Sequence, residues 1–378
     1  MGLLRLFLAL NVLIEHANIF NDIKLVSYML NGGHAVPVFF MISGFYMSLI
    51  LNGSYKENRY GNLAFYVSRY LRLWPVYIVV LLLFVMFRPI HEIWDISAGA
   101  QIFVYFVACT MFGYELLQWF AFNRENSSLF FAETVKLGPG HTTLDMLIMM
   151  RPMWSIGIEI WFYIIAPFAL RKFKVVFCLF CFAFFIHIIL VNALPFQDPK
   201  VYRNALNYLY LFLAGSFGFY LYQYVITNHK PQRWFLISCM VGMFLLLYNF
   251  RFLIYLIRNS SGLDLRYCQD IVYLPIAMFL PFVFMLSRQN TLDRFIGNLS
   301  YPLYVVHWPI VTYGKVIFKD DPIWWFYAIS FSLLAAFLLE IGVSQPIDKL
   351  RHKLSKKMQQ FTPKVYSGEV KKTCPAKT

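Results

Sequence analysis

Residues 100–121, AQIFVYFVACTMFGYELLQWFA, decide the architecture of this 378-residue chain. The stretch is apolar and long enough to cross a bilayer, with Glu115 as its lone charge. A crossing here would invert the topology of everything that follows. Basic residues in short loops mark the cytoplasmic side of a membrane protein. With the N terminus inside and 100–121 not crossing, one side receives Lys56, Arg59, Arg69 and Arg72, then RKFK at 171–174, HKPQR at 229–233, Arg288 with Arg294, and the C-terminal tail. A single crossing would put RKFK and all later clusters out of phase. Residues 88–152 therefore read as an external region, Glu115 included, with 100–121 as a re-entrant or interfacial hydrophobic segment. Two further crossings would satisfy the charges equally well.

Outward from that stretch, the composition is that of a membrane protein. Hydrophobic residues make up 60% of the chain, aromatic residues 20% and charged residues 14%. Runs of about 20 apolar residues recur near 3–20, 33–52, 71–88, 153–170, 175–194, 206–226, 234–254, 271–287, 299–317 and 323–343. The expected fold class is an all-α integral membrane protein, a bundle of about ten transmembrane helices. One transmembrane domain takes residues 1–345; residues 346–378 form a basic cytoplasmic tail with a disordered composition. The first apolar run lacks a small-residue cleavage site and reads as a retained span. The net charge of +14 does not point to nucleic acid, because nine of the 33 Lys and Arg lie in the last 30 residues, beside the anionic lipid surface. The CLFC at 178–181 has the spacing of a metal pair but sits mid-helix without a second pair, so no metal is expected.

Ionisable groups inside apolar spans are costly and mark functional candidates. The opening span, RLFLALNVLIEHA at 5–17, places ten residues between Arg5 and His16. Eleven steps of about 100° bring both side chains to one helix face, roughly 16 Å apart along the axis. Glu15 points about 100° away from His16 and toward a different neighbour. In GHAVPVFFMISGFYMSL at 33–49, Ser43 and Gly44 permit close approach of a helix or a ligand. RYLRLWP at 69–75 places Arg69 and Arg72 three apart on the first cytoplasmic turn of the third span, able to fork onto phosphate or to anchor the helix at the interface. MWSIGIEIWFYIIAP at 153–167 sets Ser155 and Glu159 on one face, with the carboxylate suited to proton transfer with a histidine or to pairing with an arginine. LSYPLYVVHWPI at 299–310 carries Ser300, Tyr301, Tyr304 and His307 along one helix.

Two histidines, a carboxylate, hydroxyls and an arginine set suit acyl transfer: a base for a hydroxyl, a group that stabilises the imidazolium, and cations for a phosphate-bearing donor. No zinc pattern, Walker loop, nucleophile elbow or dinucleotide turn competes. A polytopic transporter or flippase of glycans or lipid precursors would also place polar groups at mid-membrane. It would call for an inverted repeat with broken helices, which the sequence does not display.

The five motifs, in their order, resemble those of the membrane acyltransferase 3 family, from the first span to about residue 345. The resemblance implies an O-acyltransferase, usually an O-acetyltransferase, of the bacterial inner membrane with both termini cytoplasmic. It implies transfer from acyl-CoA, usually acetyl-CoA, to a hydroxyl of a surface polysaccharide or its lipid-linked precursor. By the same resemblance His16 is the catalytic base or transient acyl carrier and Arg5 its required partner. Arg69 and Arg72, with Arg5, meet the donor's phosphates, and Ser155, Glu159, Ser300, Tyr301 and His307 complete the catalytic set. The family does not explain Glu15, and the chain ends too soon for the external hydrolase-like domain that many members carry.

Overall fold

The computed structural model describes residues 1–18, 28–55, 57–87, 96–123, 125–126, 128–131, 141–147, 150–194, 199–318 and 321–360. Almost every apolar run becomes a helix, since a helix satisfies its own backbone hydrogen bonds where no water can. The first three are α1 (Gly2–His16), α2 (Gly32–Gly53) and α3 (Arg59–Phe87). Glu15 links the first two of them. Its Oε2 accepts the Gly33 amide at 3.0 Å, satisfying a free donor at the start of α2, where the helix dipole favours an anion.

The stretch at 100–121 does not cross. Helix α4 (Ala98–Thr110) has 13 residues, about 20 Å of axial rise against the roughly 30 Å of hydrocarbon in a bilayer. Its end is held against the middle of α3, where the Trp74 indole donates to the Cys109 carbonyl at 2.8 Å and the Tyr77 hydroxyl to that of Ala108 at 2.7 Å. Met111 and Gly113, both at positive φ, then turn the chain into a short tight helix, Tyr114–Trp119. Glu115 is buried and receives the indole N–H of Trp161 from the middle of the helix at 154–169. Strands β1 (Phe120–Asn123), β2 (Leu129–Phe131) and β3 (His141–Thr143) follow as a small antiparallel sheet in the order β2-β1-β3, with Phe122 opposite both Leu129 and Thr142.

The rest of the bundle comprises α5 (Trp154–Ala169), α6 (Phe173–Ala193), the short α7 (Pro199–Tyr202), α8 (Ala205–Asn228), α9 (Arg233–Tyr248), α10 (Phe250–Ser261), α11 (Leu265–Ser287), α12 (Thr291–Asn298), α13 (Ser300–Ile317), α14 (Trp324–Leu339) and α15 (Gln345–Gln360). A wide turn at Glu340–Ser344 joins the last two into one helical stretch. Among the described residues seven helical stretches are long and apolar enough to cross a membrane, and α9 with α10, bent by 70°, makes an eighth if the pair is one span. The span expected at 234–254 is therefore broken at Asn249. Helices α1, at 15 residues, and α13, with its polar row, fall below that test yet pack inside the bundle, so the count of about ten is approximate. The chain is a multi-pass helical membrane protein.

Two features of the packing position the site. Helices α2 and α8 cross backbone to backbone: a Cβ on Gly44 would collide with the Phe212 carbonyl, and one on Gly215 with that of Met41. The same crossing fixes Ser43 in the interior. The tail, expected to be disordered from residue 346, is helical as far as Gln360 and packs along α3; residues 361–378 lie outside the described residues. Ile347, Arg351, Leu354 and Met358 recur at spacings of four, three and four on its covered face, a helical period hidden by the basic composition.

Candidate active site

The N-terminal half of α3 carries Arg69 and Arg72 inward. The two arginines lie ten and thirteen residues beyond Arg59, not on the first turn, so the α3 start forms a stalk against α15 and the guanidiniums reach the bundle interior. There they line a cavity of about 520 Å³ with Arg5, Arg288, Arg294 and Arg351 at its basic end. Ser43, Ser155, Glu159, Ser300, Tyr301 and Tyr304 line the remainder. Arg5 stacks its guanidinium 5.7 Å over the Tyr46 ring, and its Nε is buried without a hydrogen-bond partner among the described residues. The start of α1 is fixed by Asp293 of α12, whose carboxylate accepts the Gly2 and Leu3 amides at 2.7 and 2.9 Å. Partial burial pushes the Asp293 carboxyl up, but the Leu3 and Gly2 amides together with the Met1 ammonium, 2.9 Å away, outweigh it and hold the group below its ordinary value.

Among the described residues Glu159 meets neither an arginine nor a histidine through a hydrogen bond. Its Oε1 accepts the Ser43 hydroxyl and the Tyr163 hydroxyl, each at 2.7 Å, which ties α5 to α2 across the cavity wall. Ser300 donates to the Gly297 carbonyl at 2.6 Å, and Tyr301 to the Leu73 carbonyl at 2.6 Å, between Arg72 and Trp74. These two hydroxyls therefore brace α13 against its neighbours. Ser155 and Tyr304 form the far end of the cavity, their oxygens 2.6 Å apart and both turned toward the Pro152 carbonyl.

Beyond Tyr304 stand the two histidines, which do not line the cavity. The His307 ring centroid is 5.8 Å from that of Tyr304, and His307 is fully buried. His307 Nδ1 lies 3.3 Å from the Leu303 carbonyl and His307 Nε2 3.0 Å from His16 Nδ1. A carbonyl only accepts, so His307 carries its proton on Nδ1 and its Nε2 accepts from His16 Nδ1–H. The hydrogen-bond network thus assigns a lone pair to His16 Nε2, the form required of a base or a nucleophile. Trp308 closes one side of His16 edge-on, with centroids 5.2 Å apart.

The sequence motifs thus divide into two groups. Arg5, Arg69, Arg72, Ser155, Glu159, Ser300 and Tyr301 converge on one cavity, whereas His16 and His307 pair beyond its end. Sequence reasoning passed over Ser43 and Tyr163 as partners of Glu159, Tyr304 as the wall between cavity and histidines, and Arg351 with His352 at the mouth. The α15 period was the available signal for Arg351; nothing in the local sequence marks Ser43 as a carboxylate partner. Among the described residues, no group of three or more His, Cys, Asp and Glu side chains is arranged to hold a metal ion.

No curated protein and no solved structure matches the chain. One family model does, described as an acyltransferase domain and matched by residues 1–341, which takes in every helix from α1 through α14. A basic cavity that leads to a histidine pair within a helical membrane bundle is in keeping with that match, and the chain belongs to the acyltransferase 3 family of membrane acyltransferases.

Proposed function

We propose that the protein is an O-acyltransferase of the bacterial inner membrane that moves an acyl group, acetyl in the simplest case, from acyl-CoA to a sugar hydroxyl of a surface polysaccharide or its lipid-linked precursor. The carrying observation is the order of groups along one path: arginines at the mouth, hydroxyls and Glu159 along the wall, Tyr304 at the end, and the His307–His16 pair one ring further on. The basic end faces the cytoplasm in this reading, in line with the positive-inside rule, and both termini lie there.

The donor's phosphates sit among Arg5, Arg69 and Arg72, whose forked guanidiniums suit phosphate oxygens. A pantetheine arm of about 15–20 Å in extended form matches the roughly 16 Å axial separation of Arg5 from His16. Passage of the thioester to His16 requires the Tyr304 ring to turn aside. His16 Nε2 then takes the proton of the acceptor hydroxyl as that oxygen attacks the thioester carbon, and the thiolate leaves as the C–S bond breaks. The positive charge formed on His16 is stabilised by His307 Nε2, which already accepts from its Nδ1–H. In the carrier version of the same chemistry, Nε2 attacks the thioester first and holds the acyl group until the acceptor arrives.

His16→Ala is expected to abolish transfer while leaving the purified protein folded and still able to bind CoA; full activity of that variant would overturn the assignment. Incubation with acyl-labelled acyl-CoA in the absence of acceptor separates the two routes, since the carrier route leaves label on wild-type protein and none on His16→Ala.

A further inference from the structure

We propose that Arg351, with Arg69 and Arg72, forms the site for the outermost phosphate of the donor, a phosphate monoester. The inference rests on the acyl-CoA reading and deepens it. Arg351 lies on α15, beyond the 1–341 family match, and lines the same cavity mouth as the other two.

The side chain is in an unusual state for an arginine. Arg351 is 5% exposed, yet its Nε and Nη1 are buried with no hydrogen-bond partner among the described residues. Among the described residues Nη2 reaches only local groups, Asp348 Oδ1 at 3.1 Å and the His352 ring at 3.4 Å. Arg69 is 8% exposed, and its Nε is likewise buried and unpartnered, while its other nitrogens turn to Ser68 and Tyr55. The positive charges of Arg69 and Arg72 act directly on Arg351. Asp348 offsets part of this charge from its half-exposed position, and Glu340 acts on Arg72. Three guanidiniums set together, two of them with idle N–H groups, repel one another and forgo solvation, an arrangement that becomes favourable once a multivalent anion accepts those donors. A phosphate monoester offers close to two negative charges and three acceptor oxygens, which matches the idle donors better than a singly charged carboxylate does.

The position of α15 selects the phosphate. This helix leaves the bundle at its basic end, held there by packing along the α3 stalk, so Arg351 meets the part of the donor that stays nearest the mouth. Arg5, on α1 beside Tyr46, is left for the inner phosphates.

The test compares CoA with 3′-dephospho-CoA, which lacks only the monoester, on the purified full-length protein in lipid nanodiscs. Wild type is expected to bind CoA at least about tenfold more tightly than dephospho-CoA, about the contribution of a charge-assisted contact. Arg351→Gln is expected to lose most of that preference while its dephospho-CoA affinity stays close to wild type, which also reports that the variant is folded; Arg351→Lys should retain part of the preference. An undiminished preference in Arg351→Gln overturns the proposal, and so does an equal loss for both nucleotides. If Arg351 instead holds the phosphate of an anionic lipid, the CoA preference is unmoved by Arg351→Gln and the variant's thermal stability loses its dependence on added phosphatidylglycerol, again overturning it. Failure of wild type to bind either nucleotide would remove the acyl-CoA reading itself.

Discussion

His16 Nδ1 and His307 Nε2 lie 3.0 Å apart, although 291 positions separate the two residues in the chain. The pair fixes the protonation pattern of both rings: His307 is anchored through Nδ1 to the Leu303 carbonyl, and His16 is left with its lone pair on Nε2. In the proposed mechanism His307 acts on the chemistry through His16 as a positioning residue. His307→Gln is expected to lower kcat by about tenfold to a hundredfold, the usual effect of losing a group that orients a reactive one, and to change the pH profile of transfer while leaving KM for the donor near wild type. Loss confined to KM, with an unaltered pH profile, would contradict this role.

Tyr304 separates the cavity from the histidines and is fastened to Ser155 and the Pro152 carbonyl. Removing the ring opens the path without the control that the hydroxyl bonds provide. Tyr304→Ala is expected to raise acceptor-independent hydrolysis of the acyl donor and to lower transfer, both read from thiol release with and without acceptor. Tyr304→Phe keeps the ring and gives up one hydrogen-bonding group, so its cost should be a thermal destabilisation of about 1 kcal/mol.

Glu159 is a hub for two hydroxyls, from Ser43 and Tyr163. Glu159→Gln keeps an acceptor oxygen at the same place, whereas Glu159→Ala leaves both buried hydroxyls unpaired at about 1–3 kcal/mol each. The glutamine variant is therefore expected to retain at least tenfold more transfer activity than the alanine variant and to unfold close to the wild-type temperature. If both lose activity alike while the glutamine protein remains stable, the negative charge itself is required.

Asp293 fastens the start of α1, and with it Arg5, from outside the spans. Its carboxyl lies below the ordinary 3.8 because the Leu3 and Gly2 amides and the Met1 ammonium together outweigh the opposing effect of burial. The sign follows from linkage: a depressed native value means that the contribution is fully present above about pH 4 and is lost as the pH falls through the native value. Thermal unfolding in detergent should show wild type losing stability as the pH falls below about 4 in excess of Asp293→Asn, which lacks this titration. Parallel pH dependence in the two proteins would rule the contribution out.

The sequence alone determined the class of molecule and the faces of its helices. Burial of apolar side chains and the self-satisfied helix backbone are local matters, so the spans, the shared face of Arg5 and His16, and that of Ser155 and Glu159 follow from spacing. The charge pattern excluded only a single crossing at 100–121, and the structure supplies the rest, a 13-residue helix held to Trp74 and Tyr77 and too short to span. Only the tertiary structure decided partners. Nothing near residue 16 specifies residue 307, nothing near Glu159 specifies Ser43, and Glu15, idle in its own helix, caps the next one through Gly33. Likewise the composition of 346–378 is that of a disordered tail, and the α3 surface converts its first part into a helix that delivers Arg351 to the mouth of the cavity. The physical reason is the same in each case: helix formation is settled by neighbours in the chain, whereas a hydrogen bond or a buried charge is settled by whichever helix packs alongside.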